Sequence, residues 1–277
     1  MTTIGTKLAA VALTLGIALP AYAGKGGSNA AILQAVHSGS SGAIIAEVER
    51  TEGLACTECL QTVTNLLEDN RYEVREVAAW WFAKRVALKE VMAQQFVTEL
   101  ASGDSIAVRN AADFLGATVY LKSLPALRSA ITRSGLTSEA KLALVHAVKY
   151  MAHVGGNPVL VTAMTDADPA VRAAAVTAWR DILGQTTAVP VEPSLRDGDA
   201  SVRAAAAAVM GAMHDTNAVS TLEQLVTSDA DPFVRRNAAW ALGKLGSASS
   251  REALTIASTD KSGIVRGVAK ASLATLK

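Results

Sequence analysis

Cys56 and Cys59 are the two cysteines of the chain, and their C-x-x-C spacing is the arrangement in this sequence best suited to chemistry. In an oxidising compartment a pair this close forms a disulfide, and the even count leaves no free thiol. We therefore predict a disulfide that staples the N-terminal end of the fold. Disulfide exchange is the alternative, because a thiolate at the start of a helix is stabilised by the helix dipole.

The surroundings of the cysteines argue against bound haem or metal. A c-type haem needs His directly after the second cysteine, and residue 60 is Leu. Zinc needs two more ligands, and the four histidines show no paired spacing. His146, Tyr150 and His153 are spaced to share one helical face, which alone supplies too few ligands. With no phosphate loop, nucleophile elbow or H-E-x-x-H motif, we predict no metal, no cofactor and no catalytic residue.

One basic residue, usually preceded by valine, recurs roughly every 31 residues. Its copies are Arg75, Arg109, Arg172, Arg203, Arg235 and Arg266, with Lys141 at the remaining position. Six positions earlier stand Asp69, Asp166, Asp197, Asp229 and Asp260, with Gly103 and Gly135 in the other two copies. A residue that returns once per unit serves every unit alike, which argues against catalysis. We predict a structural ladder that pairs these arginines with turn aspartates along a stack.

Each copy carries the signals of two short helices joined by a turn. Residues able to cap a helix stand four positions before the basic residue, at Ser105, Thr137, Asp168, Asp199, Asp231 and Ser262. Apolar residues three and seven positions after it, such as Ala238 and Leu242, form one helical face. Upstream lies a shorter apolar pattern, such as Leu222, Leu225 and Val226. The repeated unit is therefore a helical hairpin, and a repeat of this length is typical of a solenoid.

The copy at Asn217–Gly246 has the residue pairs Asp231-Pro232, Val234-Arg235 and Leu242-Gly243. At these positions it resembles the HEAT repeat, specifically the short subtype also found in phycobilin lyases. The resemblance extends over residues 54–276. It implies an all-α, right-handed α-solenoid of about seven two-helix repeats, whose second helices line a concave face. We expect an N-terminal helical cap at residues 24–53 and the solenoid at residues 54–277. Such repeats serve mostly as scaffolds and occasionally as enzymes.

Residues 1–23 have the pattern of a secretory signal peptide. Lys7 precedes the apolar run Leu8–Leu19, and Ala21-Tyr22-Ala23 has the small residues of a cleavage site. We therefore expect a periplasmic or secreted protein without a membrane span after cleavage, with an uncleaved N-terminal anchor as the alternative. The net charge of +1 becomes 0 when Lys7 is removed, which disfavours nucleic acid as a partner. Export also disfavours a lyase-like enzyme.

A stripe of aromatic and basic residues on the second helices is the candidate binding surface. Aromatic residues recur five positions after the basic residue, and lysines follow one turn later in two copies. The proposed contact residues are Trp80, Lys84, Phe114, His146, Tyr150, Arg236, Trp240 and Lys244. Such residues are enriched in interaction hot spots, although packing between repeats would equally explain the two tryptophans. The sequence thus predicts an exported, non-enzymatic scaffold for a protein partner, with a redox-linked accessory protein using Cys56 and Cys59 as the alternative.

Overall fold

The computed structural model describes residues 27–276, and helices supply the regular secondary structure of that range apart from one bridge between His153 and Leu183. The chain divides into two compact units, Met1–Ala126 and Leu127–Lys277. Each unit is a stack of helical hairpins. The predicted signal peptide and its cleavage site lie outside the described residues.

Within the described residues, the first unit starts with a hairpin that precedes the repeats. Its helices are α1 (Asn29–Ser38), α2 (Ser41–Glu49), α3 (Cys59–Leu66), α4 (Tyr72–Ala83), α5 (Val86–Ser102) and α6 (Ser105–Ala117). The α1–α2 hairpin occupies the region of the predicted N-terminal cap. Helix α2 packs on α4 and α4 packs on α6, so that the second helices form one row, while α1 packs on α3. Four buried aromatic rings, Trp81, Phe82, Phe96 and Phe114, fill the core of this unit.

The second unit continues the same pattern. Its helices are α7 (Leu124–Ile131), which begins before the boundary, α8 (Ser138–Met151), α9 (Asn157–Ala163), α10 (Pro169–Trp179), α11 (Ala200–Ala212), α12 (Val219–Ser228), α13 (Pro232–Leu245), α14 (Arg251–Ala257) and α15 (Gly263–Thr275). The second helices α8, α10, α11, α13 and α15 pack in that order. After α1–α2, the described residues contain seven hairpins, as the sequence predicts. Short 3-10 helices at Leu121–Ser123, Val154–Gly156, Thr216–Ala218 and Ala248–Ser250 lead into four of the first helices.

One hairpin departs from the predicted pair of α-helices. Its opening element is a 3-10 helix at Val189–Arg196, which contains Pro190 and Pro193. Proline has no amide hydrogen and clashes with the carbonyl four residues earlier in an α-helix, so this segment cannot form the regular ladder. The 3-10 helix nevertheless packs against α11 and buries Val191 and Leu195.

The helix caps follow the sequence prediction in four of six places. Thr137, Asp168, Asp199 and Asp231 each accept a hydrogen bond from a backbone amide in the first turn of the following helix. The prediction that Ser105 caps its helix was wrong, because Ser105 is the first helical residue. The cap is Asp104, whose side chain accepts from the amide of Ala107 at 2.9 Å. Ser262 occupies the cap position without a side-chain cap bond, although its amide donates to Asp260 Oδ1 at 2.7 Å as the amides of the aspartate caps do to theirs.

Arg203 shows how an arginine of the second unit joins two turns. Its Nη1 donates to the carbonyl oxygens of Asp197 and Gly198 in its own hairpin, at 2.9 and 3.1 Å. Its Nε and Nη2 donate to Asp229 in the turn of the next hairpin, at 2.8 and 2.9 Å. The Asp229 carboxylate also accepts the amide of Asp231 at 2.9 Å, which shapes that turn. One arginine therefore fixes its own turn and the next turn together.

The same contact recurs along the second unit. Arg172 donates to Asp197 at 2.8 and 2.7 Å, and Arg235 donates to Asp260 at 2.7 and 2.9 Å. Lys141, which replaces arginine in one copy, contacts Asp166 Oδ2 at 2.6 Å. In each pair the partners lie in successive hairpins, so the row of contacts sets their register. We call this row the ladder.

The predicted ladder does not hold in the first unit. It also does not hold at Arg266, the last arginine of the repeated series. Asp69 is bound by Arg71 of its own turn at 2.8 Å through both carboxylate oxygens, because the α1–α2 hairpin supplies no arginine. Arg75 pairs with Asp113 of α6 at 2.6 Å instead of a turn aspartate, since the next turn has Gly103. The last arginine, Arg266, donates only to carbonyls of its own turn among the described residues.

Arg109 is buried and donates Nε to Asn110 Oδ1 at 3.1 Å. This contact differs from the predicted pairing with a turn aspartate. The copy that follows Arg109 has Gly135 at the aspartate position, which removes the carboxylate that such a pairing needs.

Replacing Arg203 with Ala is expected to lower the free energy of unfolding by about 1–3 kcal/mol, because the buried Asp229 carboxylate loses its charged donor. Urea unfolding followed by circular dichroism measures the change. Arg266→Ala is the matched control, since it removes the same side chain where no turn aspartate is bound. Equal midpoints for the two variants would contradict a stabilising ladder.

Acid is expected to destabilise the second unit through the same contacts. The hydrogen bonds from Arg172 and Arg235 lower the pKa of Asp197 and Asp260 respectively, against the opposing effect of burial. A carboxyl whose pKa is lower in the folded chain stabilises the fold above its unfolded pKa of about 3.9, and this contribution is lost as the pH falls through the folded value. Urea midpoints should therefore be level between pH 7 and pH 5 and fall below about pH 4. The Asp197→Asn variant should be less stable than the parent at pH 7, and its urea midpoint should fall less on acidification.

Candidate functional site

Trp240 is placed at the surface by the way α13 begins and packs. Asp231 caps the helix through the amides of Phe233 and Val234, and Pro232 occupies its first turn. The helix buries Ala238, Ala239 and Leu242, which leaves Trp240 half-buried at the margin of the interface. The ring thus has one covered side and one open side.

Gly211 of α11 makes room for the covered side of the Trp240 ring. A Cβ at Gly211 would lie 2.8 Å from Trp240 Cζ3 and 2.6 Å from the Ala241 Cα, closer than real Cβ contacts. Helices α11 and α13 therefore approach closely at this point. Asn237 reinforces the crossing, because its Nδ2 donates to the Ala204 carbonyl of α11 at 2.8 Å. The covered side of the tryptophan ring is therefore packed against the backbone of α11.

Three further exposed side chains share this face of α13. Phe233, Arg236 and Lys244 are spaced from Trp240 by seven, four and four positions, which places them along one side of a helix. Phe233 is 57% exposed, although large apolar side chains are usually buried. Lys244 Nζ lies 5.7 Å from the centre of the Trp240 ring, within range of a cation–π contact.

On α11, small side chains occupy the repeat positions that correspond to Arg236, Trp240 and Lys244 of α13. These residues, Ala204, Ala208 and Ala212, lie at helical spacings of four; the first two are half-buried and the third is exposed. We call these three alanines, together with Phe233, Arg236, Trp240 and Lys244, the Trp240 surface. It combines small apolar side chains on α11 with aromatic and basic side chains on α13.

The charged side chains within the second helices around the Trp240 surface are all basic. Helices α11, α13 and α15 contain no Asp or Glu in their sequences. Their basic residues are Arg203, Arg235, Arg236, Lys244, Arg266 and Lys270. The ladder neutralises Arg203 and Arg235 with aspartates, whereas no salt bridge to Arg236 or Lys244 is found within residues 27–276. The surface therefore carries a local positive charge on a chain that is nearly neutral overall.

The remaining predicted contact residues of the second unit lie elsewhere. His146 and Tyr150 are exposed on α8, and Tyr150 is 51% exposed. Helices α10 and α11 separate α8 from α13 in the packing order, so these two side chains do not join the Trp240 surface. His153 does not share their helical face, because α8 ends at Met151 and Ala152 has a left-handed backbone with φ of 48°.

Trp80 occupies in α4 the position that Trp240 has in α13. It is half-buried, and Lys84 Nζ lies 5.3 Å from the centre of its ring. Lys84 also forms an ion pair with Glu52 at 2.9 Å. The first unit therefore has the same pair of tryptophan and lysine, but the charge of its lysine is neutralised by Glu52. Phe114 was wrongly placed in the stripe, since it is 1% exposed and packs against Phe82 and Phe96 in the core.

Cys56 and Cys59 lie side by side at the start of α3, with their Cα atoms 5.2 Å apart and their sulfurs within bonding reach. Formation of this disulfide depends on the compartment, so the disulfide in the cell stays a prediction. Elsewhere in residues 27–276, no group of three or more His, Cys, Asp and Glu side chains is arranged to hold a metal ion. Over the same residues, no helix combines the length and apolar character needed to cross a bilayer.

Sequence reasoning missed Phe233 and Gly211. Phe233 stands seven positions before Trp240, and this spacing could have placed both on one face. Gly211 looks like a packing residue in the sequence, because small residues let helices approach closely. Only the contact between α11 and α13 shows that Gly211 also lies against the Trp240 ring.

Comparison with known proteins supports the fold. Residues 189–274 match the family described as HEAT repeats. The structure of the YibA protein of Escherichia coli is similar with a TM-score of 0.57 and 14% identity, covering 99% of this chain and 98% of that chain. The chain is therefore a HEAT-like repeat protein. None of the curated proteins matches its sequence.

Two enzymes are among the solved structures with weaker similarity. Human deoxyhypusine hydroxylase in complex with glycerol has a TM-score of 0.39 and 18% identity, covering 89% of this chain and 97% of that chain. The complex of CpcE and CpcF of phycocyanin lyase from Nostoc has a TM-score of 0.40 and 21% identity, covering 76% and 85%. At these scores neither structure bears on the activity of this chain.

Proposed function

We propose that this HEAT-like repeat protein is a non-enzymatic scaffold and that the Trp240 surface receives a protein partner. The observation that carries the proposal is the half-exposed Trp240 ring, held over Gly211 and flanked by Phe233 and Lys244. Aromatic side chains beside a basic residue are the composition of interaction hot spots. A repeat array presents such a surface on a rigid row of helices.

The packing of Trp240 against α11 favours binding. A side chain that is already ordered in the free protein loses little conformational entropy when a partner covers it. Gly211 and the bond from Asn237 to the Ala204 carbonyl provide this order before any partner arrives. The small side chains of Ala204, Ala208 and Ala212 add apolar surface on α11 without bulk that would keep a partner segment away from the ring.

The charge of the surface indicates the chemistry of the partner. Arg236 and Lys244 lie on either side of Trp240 along α13, and the neighbouring second helices add no carboxylate. An acidic segment carrying an apolar side chain would match both the charge and the aromatic side chains. The corresponding Trp80 in the first unit is a weaker candidate for the same partner, because Glu52 already neutralises Lys84.

The proposal includes a location outside the cytosol. It rests on the sequence of residues 1–23, with its apolar run and its Ala21-Tyr22-Ala23 cleavage pattern. We infer a periplasmic or secreted scaffold for a partner in the same compartment.

Trp240→Ala is expected to weaken binding of a purified partner by about 2 kcal/mol or more, because the ring supplies the apolar centre of the contact. Isothermal titration calorimetry measures the loss, and Phe233→Ala should weaken binding as well. Ile256→Ala is the control, since Ile256 is 53% exposed on α14, away from this surface. If Trp240→Ala lowers only the melting temperature and Phe233→Ala binds as tightly as the parent, the Trp240 surface is not the binding site.

Lys244→Glu and Arg236→Glu are expected to slow association and weaken binding, most strongly at low salt, because a partner of acidic character meets a reversed charge. Association rates at several salt concentrations measure the effect. Arg251→Glu makes the same charge change on α14 and should leave the rates near those of the parent. Equal losses for all three variants, or no dependence on salt, would exclude an acidic partner while leaving the aromatic contact intact.

A further inference from the structure

The two cysteines of the C-x-x-C pair differ in their surroundings. Cys59 is 0% exposed at the first position of α3, whereas Cys56 is half-buried in the turn before the helix. The Cys59 amide donates to the Cys56 carbonyl at 3.0 Å, which closes this turn, and Thr57 and Glu58 between them are exposed. Cys56 is therefore the more accessible residue of the pair, and Cys59 is shielded from solvent.

The segment before the cysteines is held in place without a disulfide. Arg85 Nη2 donates to the carbonyls of Thr51 and Leu54 at 2.9 and 2.8 Å, and its guanidinium stacks 3.5 Å from the centre of the Trp81 ring. Trp81 Nε1 donates to Thr51 Oγ1 at 2.8 Å. Burial lowers the pKa of Arg85 to about 10, opposed by Glu52, so the guanidinium stays charged near neutral pH.

The segment after the cysteines is also anchored. Helix α3 packs on α4 and α1, and Thr62 donates its hydroxyl to Asn29 Oδ1 at 2.6 Å. A disulfide between residues three positions apart constrains a very short loop, and the entropic stabilisation of a disulfide is smallest for short loops. With both sides of the turn fixed by other contacts, a bond between Cys56 and Cys59 adds little as a staple.

We propose that Cys56 and Cys59 form a thiol–disulfide exchange site in which Cys56 reacts with external thiols and Cys59 acts as the resolving cysteine. The co-reactant is a dithiol, either a small molecule or a protein. The inference is independent of the Trp240 surface, because it rests on the first unit alone.

The exchange takes place in two steps. A thiolate of the dithiol attacks Cys56 Sγ, a mixed disulfide forms, the Cys56–Cys59 bond breaks, and Cys59 leaves as a thiolate that takes up a proton. The second thiol of the co-reactant then loses its proton and attacks the first sulfur of the co-reactant, which is bound to Cys56 in the mixed disulfide. This step releases the Cys56 thiolate and leaves the co-reactant as a disulfide. Two electrons pass from the dithiol to the pair, and the reverse sequence oxidises the reduced pair.

The proposal is tested first by the reactivity of each cysteine alone. In Cys59→Ser the remaining Cys56 should react with a maleimide or a disulfide reagent about 100-fold or more faster than the remaining Cys59 does in Cys56→Ser, because accessibility controls the rate. Denatured samples of both variants should react at similar rates. Similar rates in the two folded variants would overturn the assignment of roles.

The second test is exchange by the full chain. Oxidised protein and reduced protein, each placed in the same buffer of reduced and oxidised dithiothreitol, should reach the same ratio of states within minutes. Acid quenching, alkylation and mass spectrometry measure this ratio. The helical circular dichroism signal and the melting temperature should change little between the two states. A pair that resists reduction for hours in the folded protein, or reduction that unfolds the chain, would identify a structural staple and overturn the proposal.

Discussion

The second unit depends on the contact between an arginine of one hairpin and an aspartate of the next. Each hairpin has short helices that cannot bury their apolar faces alone, so its position must be fixed by its neighbours. Arg203 meets this need with one rigid group, because the planar guanidinium fixes its own turn and binds Asp229 through two parallel bonds. The aspartate in turn shapes the turn that starts the next helix. The position of each hairpin relative to the preceding one is therefore set by the contacts between their turns.

The ladder controls register, and small residues control distance. Gly211 allows α13 to approach α11 until the Trp240 ring lies against the backbone, and Gly243 allows Ser272 of α15 a similarly close approach. The tryptophan at this crossing has the packing role that the sequence left open, and the binding role is the one that we propose. Its covered edge fills space between repeats, and its partly exposed side lies beside Lys244. Packing and the proposed binding therefore involve different sides of the same ring.

The first unit is organised by different contacts, and its chemistry differs accordingly. Arg75 binds Asp113 within the helix row, and Arg71 binds Asp69 within one turn. Arg85, stacked on Trp81, holds the segment that leads to Cys56. These contacts hold the backbone next to the cysteines, and this is the ground for the proposal that the cysteine pair does more than hold the fold. The proposed exchange site and the proposed binding surface thus lie in separate units with separate supports.

The sequence by itself determined the helical hairpin, the number of hairpins and most helix starts, because caps, turn aspartates and apolar spacing are local signals. It also placed Trp240 and Lys244 on one face, since helical spacing is regular. Tertiary structure alone decided that Phe114 is in the core, that Asp113 rather than a turn aspartate binds Arg75, and that Cys59 is buried while Cys56 is accessible. These outcomes depend on which side chains of neighbouring helices meet, and residues far apart in the chain meet only once the helices have packed.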